Sequence, residues 1–144
     1  GYTLPFRLFC ASWIDAGRLS RQLNSLSIPG VIFRPLHIRP YYGFGKGENL
    51  QGVEFLITDA EAAPLTLIQF YVAQELAAAY PAHAMFRTAI PAARISMFDK
   101  VCGSKEVRRR FSRAHRVADI EAYWNKDTDD FRRRSTPFHI YPSK

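Results

Sequence analysis

Residues 10–40 read CASWIDAGRLSRQLNSLSIPGVIFRPLHIRP, and this stretch decides the fold. Asp15 suits a helix N-cap, because its carboxylate can accept from the free N–H groups of the first turn. Leu19, Leu23 and Leu26 then recur at i, i+4 and i+7, which places them on one helical face. Arg18, Arg21, Gln22 and Ser25 take the other face. Ile28-Pro29-Gly30 stops the helix, since proline cannot continue it and glycine tolerates the turn that follows. Val31-Ile32-Phe33 is β-branched and aromatic, so the chain leaves the turn as a strand. With the apolar residues that precede Asp15, the stretch is a strand–helix–strand unit.

Phe6, Leu8 and Cys10 alternate enough to suggest a first strand over 5–12. Pro35 and Pro40 flank Leu36-His37-Ile38-Arg39, which limits the second strand, 30–38, to an edge or a broken strand. The run VEFLITD gives the clearest strand, 52–58. A helix is expected to begin near Pro64, a favoured first helical position, with Leu65, Ile68, Val72, Leu76 and Ala79 facing the core. Pro81 ends it, and residues 82–95 read as a connection. Ser96 with Asp99 suggests a capping box, and Cys102-Gly103 closes a short helical turn. Ser104 caps the next helix, with Val107 and Phe111 inward. A longer helix places Val117, Ile120, Trp124 and Phe131 near one face, with Arg132, Arg133 and Arg134 in its last turn. Residues 137–141, PFHIY, read as a closing strand. The expected architecture is one mixed α/β (α+β) domain, a small mixed sheet with helices packed against it and a helical C-terminal third.

At 144 residues and 47% hydrophobic content the chain can bury a core of its own. No apolar run is long enough to cross a bilayer. The start, GYTLPF, lacks the charged-then-apolar pattern of a signal peptide. Cys10 and Cys102 are too few for a disulfide framework or a metal site; they could pair in an oxidising compartment, but the simpler reading is two buried free thiols. The net charge of +7 falls unevenly: residues 1–100 carry nine Lys/Arg against seven Asp/Glu, and residues 101–144 eleven against six. Such a tail can attract a polyanion, but the simpler reading of a charge run is a solvated helical face.

Residues 40–52, PYYGFGKGENLQG, form a loop rich in glycine and aromatics. No strand leads into a helix here, so the glycine spacing is not a phosphate-binding fingerprint. Tyr41, Tyr42 and Phe44 beside Lys46 and Glu48 offer flat apolar faces next to polar groups. A sugar needs that pairing, its ring stacking on an aromatic while its hydroxyls take donors and acceptors. Packing of the tyrosines onto the core would account for the same residues. Tyr41, Tyr42, Lys46 and Glu48 are the candidate substrate-binding residues. His37, His83, His115 and His139 lack ligand spacing, so no metal is expected, and no cofactor motif occurs. Glycoside hydrolysis uses two carboxylates. Glu48 and Asp59 are the pair one could name, although Asp59 suits a turn equally well, and no catalytic residue is assigned.

Several motifs in order resemble one family. WID is followed by a helix ending in LNxLxIPGVxFRP; GVEFLITD lies at 52–59, AAYP at 78–81 and FDKVCGSKEVR at 98–108; ADIEAYW at 118–124 leads to Phe131, Arg134 and FHIY at 138–141. Together they resemble the C-terminal region of the NamZ-type exo-β-N-acetylmuramidases over nearly the whole chain. Those are bacterial glycosidases that remove N-acetylmuramic acid (MurNAc) from the non-reducing ends of peptidoglycan. In the loop, Gly47 and Glu48 match the family pattern, whereas its Lys-Tyr pair and cysteine are replaced, Leu50 standing at the cysteine.

The resemblance implies an auxiliary domain that closes over a substrate cleft and offers the 41–52 loop. It further implies a preceding Rossmann-like domain bearing the catalytic glutamate, which nothing in these residues matches. The implied ligand is a MurNAc-GlcNAc fragment, and the implied setting is the bacterial cell envelope, periplasmic or secreted. Two other readings stay open. One is a non-enzymatic glycan-binding or interaction module. The other is a polyanion or nucleic-acid binder using Arg108, Arg109, Arg110 and Arg132, Arg133, Arg134.

Overall fold

The computed structural model describes residues 4, 6–87 and 90–141. Two compact units emerge, Gly1–Ala84 and Met85–Lys144. The first holds the sheet, β1 (Leu8–Ala11), β2 (Val31–Ile38) and β3 (Leu50–Ile57), with helices α1 (Ala16–Ser25) and α2 (Ile68–Ala79). The strand order is β1-β3-β2, and both pairings are antiparallel. β1 and β2 therefore run parallel to each other on either side of β3, with α1 as their crossover. The opening strand–helix–strand unit is present, but a third strand splits it. Where a mixed sheet is expected, every pair of neighbours is antiparallel.

Asp15 caps α1 as expected, its Oδ1 accepting from the Arg18 N–H at 2.7 Å. Leu19 and Leu23 are fully buried, while Leu26 lies past the last turn and is partly exposed. The helix ends earlier than Pro29, because Ser27 already takes a left-handed φ of 51°. Gly30 follows at φ 66°, where an added Cβ would lie 2.2 Å from the Asp59 carbonyl oxygen. That close approach lets the Gly30 carbonyl accept from Thr58 N–H at 2.8 Å and ties the start of β2 to the end of β3. Ile14, Leu19, Leu23, Val31, Phe33, Val53, Ile68 and Val72 form the core between the sheet and the two helices. The apolar spacing read from the sequence thus selects the buried face through removal of that surface from water.

The other face of the central strand carries Glu54, 1% exposed. Arg7 reaches it at 2.6 Å, and Arg34, its cross-strand neighbour, binds its second oxygen. A buried carboxylate is tolerable only when so paired. α2 begins at Ile68 and not at Pro64; residues 64–67 form a turn closed by Leu67 N–H on the Pro64 carbonyl, and Leu65 is exposed. Pro81 ends the helix as expected and opens a 3-10 turn, Pro81–His83.

The second unit is helical: α3 (Ala92–Val101), α4 (Lys105–Ala114), α5 (Ala118–Trp124) and α6 (Thr128–Ser135). Ser104 caps α4 by accepting from Glu106 N–H at 3.0 Å; Val107 and Phe111 of α4 are buried, as are Val117 and Ile120 at the start of α5. Three expectations fail here. Helix α3 starts four residues before Ser96, which sits mid-helix and forms no capping box, while Asp99 binds Arg108. The expected long helix breaks at residues 125–127, where Asn125 and Asp127 are poor helix formers, and the break resets the phase so that Phe131 is exposed. Residues 137–141 form no strand: Thr136–Phe138 is a 3-10 turn, and Phe138, Ile140 and Tyr141 are exposed. Alternation in PFHIY without a sheet edge to join does not make a strand. The mixed α/β class and the helical C-terminal third are as expected.

Candidate functional site

The topology gathers the polar and aromatic residues of the first unit at one end of its sheet. Ile38 pairs with Leu50 and Ala11 with Gln51, so the ends of β1 and β2 lie beside the start of β3. The 39–49 loop and the segment entering α1 both leave from that end. Gln51 joins them, its Oε1 accepting from the Ala16 N–H at 3.3 Å.

The loop is braced by its own backbone. Gly47 N–H donates to the Pro40 carbonyl at 2.9 Å, and Arg39 Nε donates to the Gly47 carbonyl at 2.9 Å. Glu48 N–H donates to the Gly45 carbonyl at 2.9 Å. These bonds close the loop at its base and turn its aromatic side chains outward. Tyr41 and Phe44 are each 88% exposed and Tyr42 57%. Tyr41 and Tyr42 meet edge to face, with centroids 6.3 Å apart. Along with Phe44 they form one wall of a groove of about 330 Å³, whose floor is Leu8, Cys10, Ile38 and Leu50 on the outer face of the sheet. Packing of the tyrosines onto the core is therefore not what holds this loop.

Of the candidate residues, Tyr41 and Tyr42 meet at the groove. Lys46 and Glu48 are exposed on the far limb of the loop and do not line it. Glu48 and Asp59 do not form a catalytic pair. They stand beyond opposite ends of β3, an eight-residue strand spanning roughly 26 Å, whereas paired glycosidase carboxylates lie within about 10 Å. Asp59 shapes a turn, its Oδ1 accepting from the N–H groups of Glu61 at 2.9 Å and Ala62 at 3.2 Å. No group of three or more His, Cys, Asp or Glu side chains among the described residues is placed to hold a metal.

A second cluster at this end escaped sequence reasoning. Trp13 is stacked on His83, with centroids 4.1 Å apart and planes 4° apart, and meets Tyr80 edge-on at 5.2 Å. The Tyr80 hydroxyl accepts from the Asp15 N–H at 2.8 Å, and the Arg18 guanidinium lies 5.8 Å from the Tyr80 ring centre. Trp13 and Asp15 were visible in the WID motif. His83 lay in a stretch with no periodicity, so only the path of the chain after α2 could bring it to Trp13.

Cys10 and Cys102 are free and half-buried, and burial raises both thiol pKa values; Asp99 adds to the effect at Cys102. In the second unit the arginines are largely paired at home. Arg108 binds Asp99, and Arg109 and Arg110 share Glu106. Arg132 meets Asp129, and Arg133 and Arg134 meet Asp130. No helix among the described residues is long and apolar enough to cross a membrane.

The comparisons with known proteins agree with the motifs. The family model for the C-terminal part of exo-β-N-acetylmuramidase NamZ matches residues 1–141. A peptidoglycan β-N-acetylmuramidase NamZ of Bacillus subtilis is 27% identical over 141 residues, covering 98% of this chain and 33% of that protein. A crystal structure of a DUF1343 family protein from Bacteroides fragilis is 51% identical and superposes with a TM-score of 0.93, covering 99% of this chain and 37% of that one. The chain thus spans about a third of the length of each relative. Matched almost end to end, it belongs to the family of NamZ C-terminal domains.

Proposed function

We propose that this chain is the auxiliary, cleft-closing domain of an exo-β-N-acetylmuramidase that hydrolyses terminal β-1,4-linked MurNAc in peptidoglycan turnover. The observation that carries this reading is the braced loop with its exposed aromatic wall beside the groove. The exposed faces of Tyr41 and Phe44 suit the apolar side of a sugar ring, while Lys46 and Glu48, on the same loop but outside the groove, can meet only a part of the glycan that extends beyond it. Catalytic carboxylates come from another domain in this reading, because Glu48 and Asp59, the pair the sequence offers, stand beyond opposite ends of β3. The reading places the domain at the bacterial cell envelope, where its substrate is found.

An amide-shift titration of the chain with MurNAc-GlcNAc tests the proposal. Saturable shifts over residues 41–52 are expected, and they should disappear in a Tyr41→Ala, Tyr42→Ala double variant that keeps its melting temperature. Absence of shifts at millimolar ligand would refute sugar contact by this loop. A non-enzymatic glycan module would give the same shifts, so hydrolysis by the chain joined to a catalytic domain separates the two. The polyanion reading is weakened by the home pairing of the arginines, since a phosphate would first have to displace Glu106, Asp129 or Asp130. A steep fall of nucleic-acid binding with salt would revive it.

A further inference from the structure

The cluster of Trp13, Arg18, Tyr80 and His83 is not used by the loop reading. Near-parallel rings whose centroids lie 4.1 Å apart are laterally offset, a stacking that aromatic quadrupoles favour. His83 is laid flat on Trp13 in this way while exposed to solvent, brought there by the 3-10 turn Pro81–His83 that follows α2. The result is a two-layer aromatic shelf whose outer surface is open. Arg18 stands over the adjoining Tyr80 ring and has no carboxylate partner among the described residues. Asp15, the nearest acid in sequence, is committed to capping the helix through the Arg18 N–H.

A flat shelf beside an open guanidinium matches a sugar that carries a carboxylate. The ring stacks, and the carboxylate takes paired N–H donors from the planar guanidinium. We propose that Trp13 and His83 with Arg18 form a subsite that selects carboxylate-bearing amino sugars, MurNAc over N-acetylglucosamine, whose structures differ by the lactyl ether. This rests on the glycan reading above and assigns Arg18 as its specificity-determining residue.

Titrations of the full 144-residue chain with MurNAc and with N-acetylglucosamine, read at the Trp13 indole N–H and at the amides of residues 15–18 and 41–52, test it. MurNAc should move the Trp13 and α1 signals with an affinity at least about tenfold above that of N-acetylglucosamine. Arg18→Gln should reduce MurNAc to the level of the neutral sugar and leave the neutral sugar unchanged. His83→Ala should weaken both. MurNAc shifts confined to residues 41–52 would overturn the subsite and leave the loop reading standing. Equal affinities at Trp13 would overturn the role of Arg18. No shifts anywhere with either sugar would overturn both readings.

Discussion

Asn24, on α1, binds both backbone groups of Phe33 on β2. Its Nδ2 donates to the Phe33 carbonyl at 2.8 Å and its Oδ1 accepts from the Phe33 N–H at 2.9 Å. The Ser20 hydroxyl donates to the same carbonyl at 2.8 Å. β2 is an edge strand, and an edge exposes unpaired N–H and C=O groups that must find partners. The helix that packs on the sheet also closes its edge.

Asn24→Ala leaves the Phe33 N–H with no side-chain partner, and Ser20 alone on the carbonyl. Leaving a half-buried polar group unsatisfied costs roughly 1–3 kcal/mol, which is several degrees in Tm for a chain of this size. Asn24→Asp should cost more than its small change in shape suggests, because it turns a donor into a carboxylate facing the Phe33 carbonyl. Thermal unfolding measures both, and an Asn24→Ala protein as stable as the parent would show that water replaces the side chain without loss.

Gly52 is the corresponding constraint on the other side of the sheet. It stands opposite Cys10, and an added Cβ would lie 1.9 Å from the Phe9 carbonyl oxygen and 2.8 Å from the Cys10 Cα. Those are backbone atoms, so no side chain can swing away. Gly52→Ala should cost at least the ~3 kcal/mol at the upper end of overpacking. The loss should be local: amide exchange at Leu8–Ala11 should accelerate first, whereas Asn24→Ala should expose β2 and spare β1. Equal protection of β1 in the Gly52→Ala protein would refute the close-contact argument.

These two residues show what sequence reasoning can reach. Periodicity identified the buried faces of α1, because Leu19 and Leu23 follow a rule that depends only on spacing. It named Asp15 and Ser104 as caps for the same reason: capping is local. Asn24 and Gly52 were visible only as letters in a family motif and at the border of a loop, since their partners, Phe33 and Phe9, are set by strand order. The failures have the same origin. PFHIY has a strand's alternation but joins no sheet, and Ser96 and Asp99 have a capping spacing inside a helix that had already begun. At the site, the loop was legible from composition, but the Trp13–His83 stack depends on where α2 ends.

Acid should loosen the second unit through Glu106. Hydrogen bonds from Arg109 and then Arg110 lower its pKa from an ordinary 4.5 to about 2. Asp99 is lowered by Arg108 in the same way. A carboxylate with a depressed folded pKa stabilises the fold above its unfolded pKa, and that contribution fades as pH falls from about 4.5 toward 2. The Glu106 side-chain carboxyl carbon should titrate with a midpoint near 2, moving upward in Arg109→Ala. A midpoint left at 4.5 in the parent protein would mean the ion pairs do not persist in solution.

Cys10 offers a chemical readout of the groove. Its thiol lies on the floor beneath Tyr41 and Phe44, and burial holds its pKa above the ordinary value. Only the thiolate reacts with iodoacetamide, so a raised pKa means less nucleophile at neutral pH and a rate that climbs with pH. Both cysteines should therefore alkylate more slowly than free cysteine at pH 7. They differ in place, since Cys102 closes α3 in the other unit and is remote in sequence from the loop. A glycan seated against the aromatic wall covers the groove floor, so MurNAc-GlcNAc should slow labelling of Cys10 and leave Cys102 unchanged. Equal labelling of Cys10 with and without saturating sugar would show that the sugar does not lie over this groove, whatever shifts it causes elsewhere in the loop.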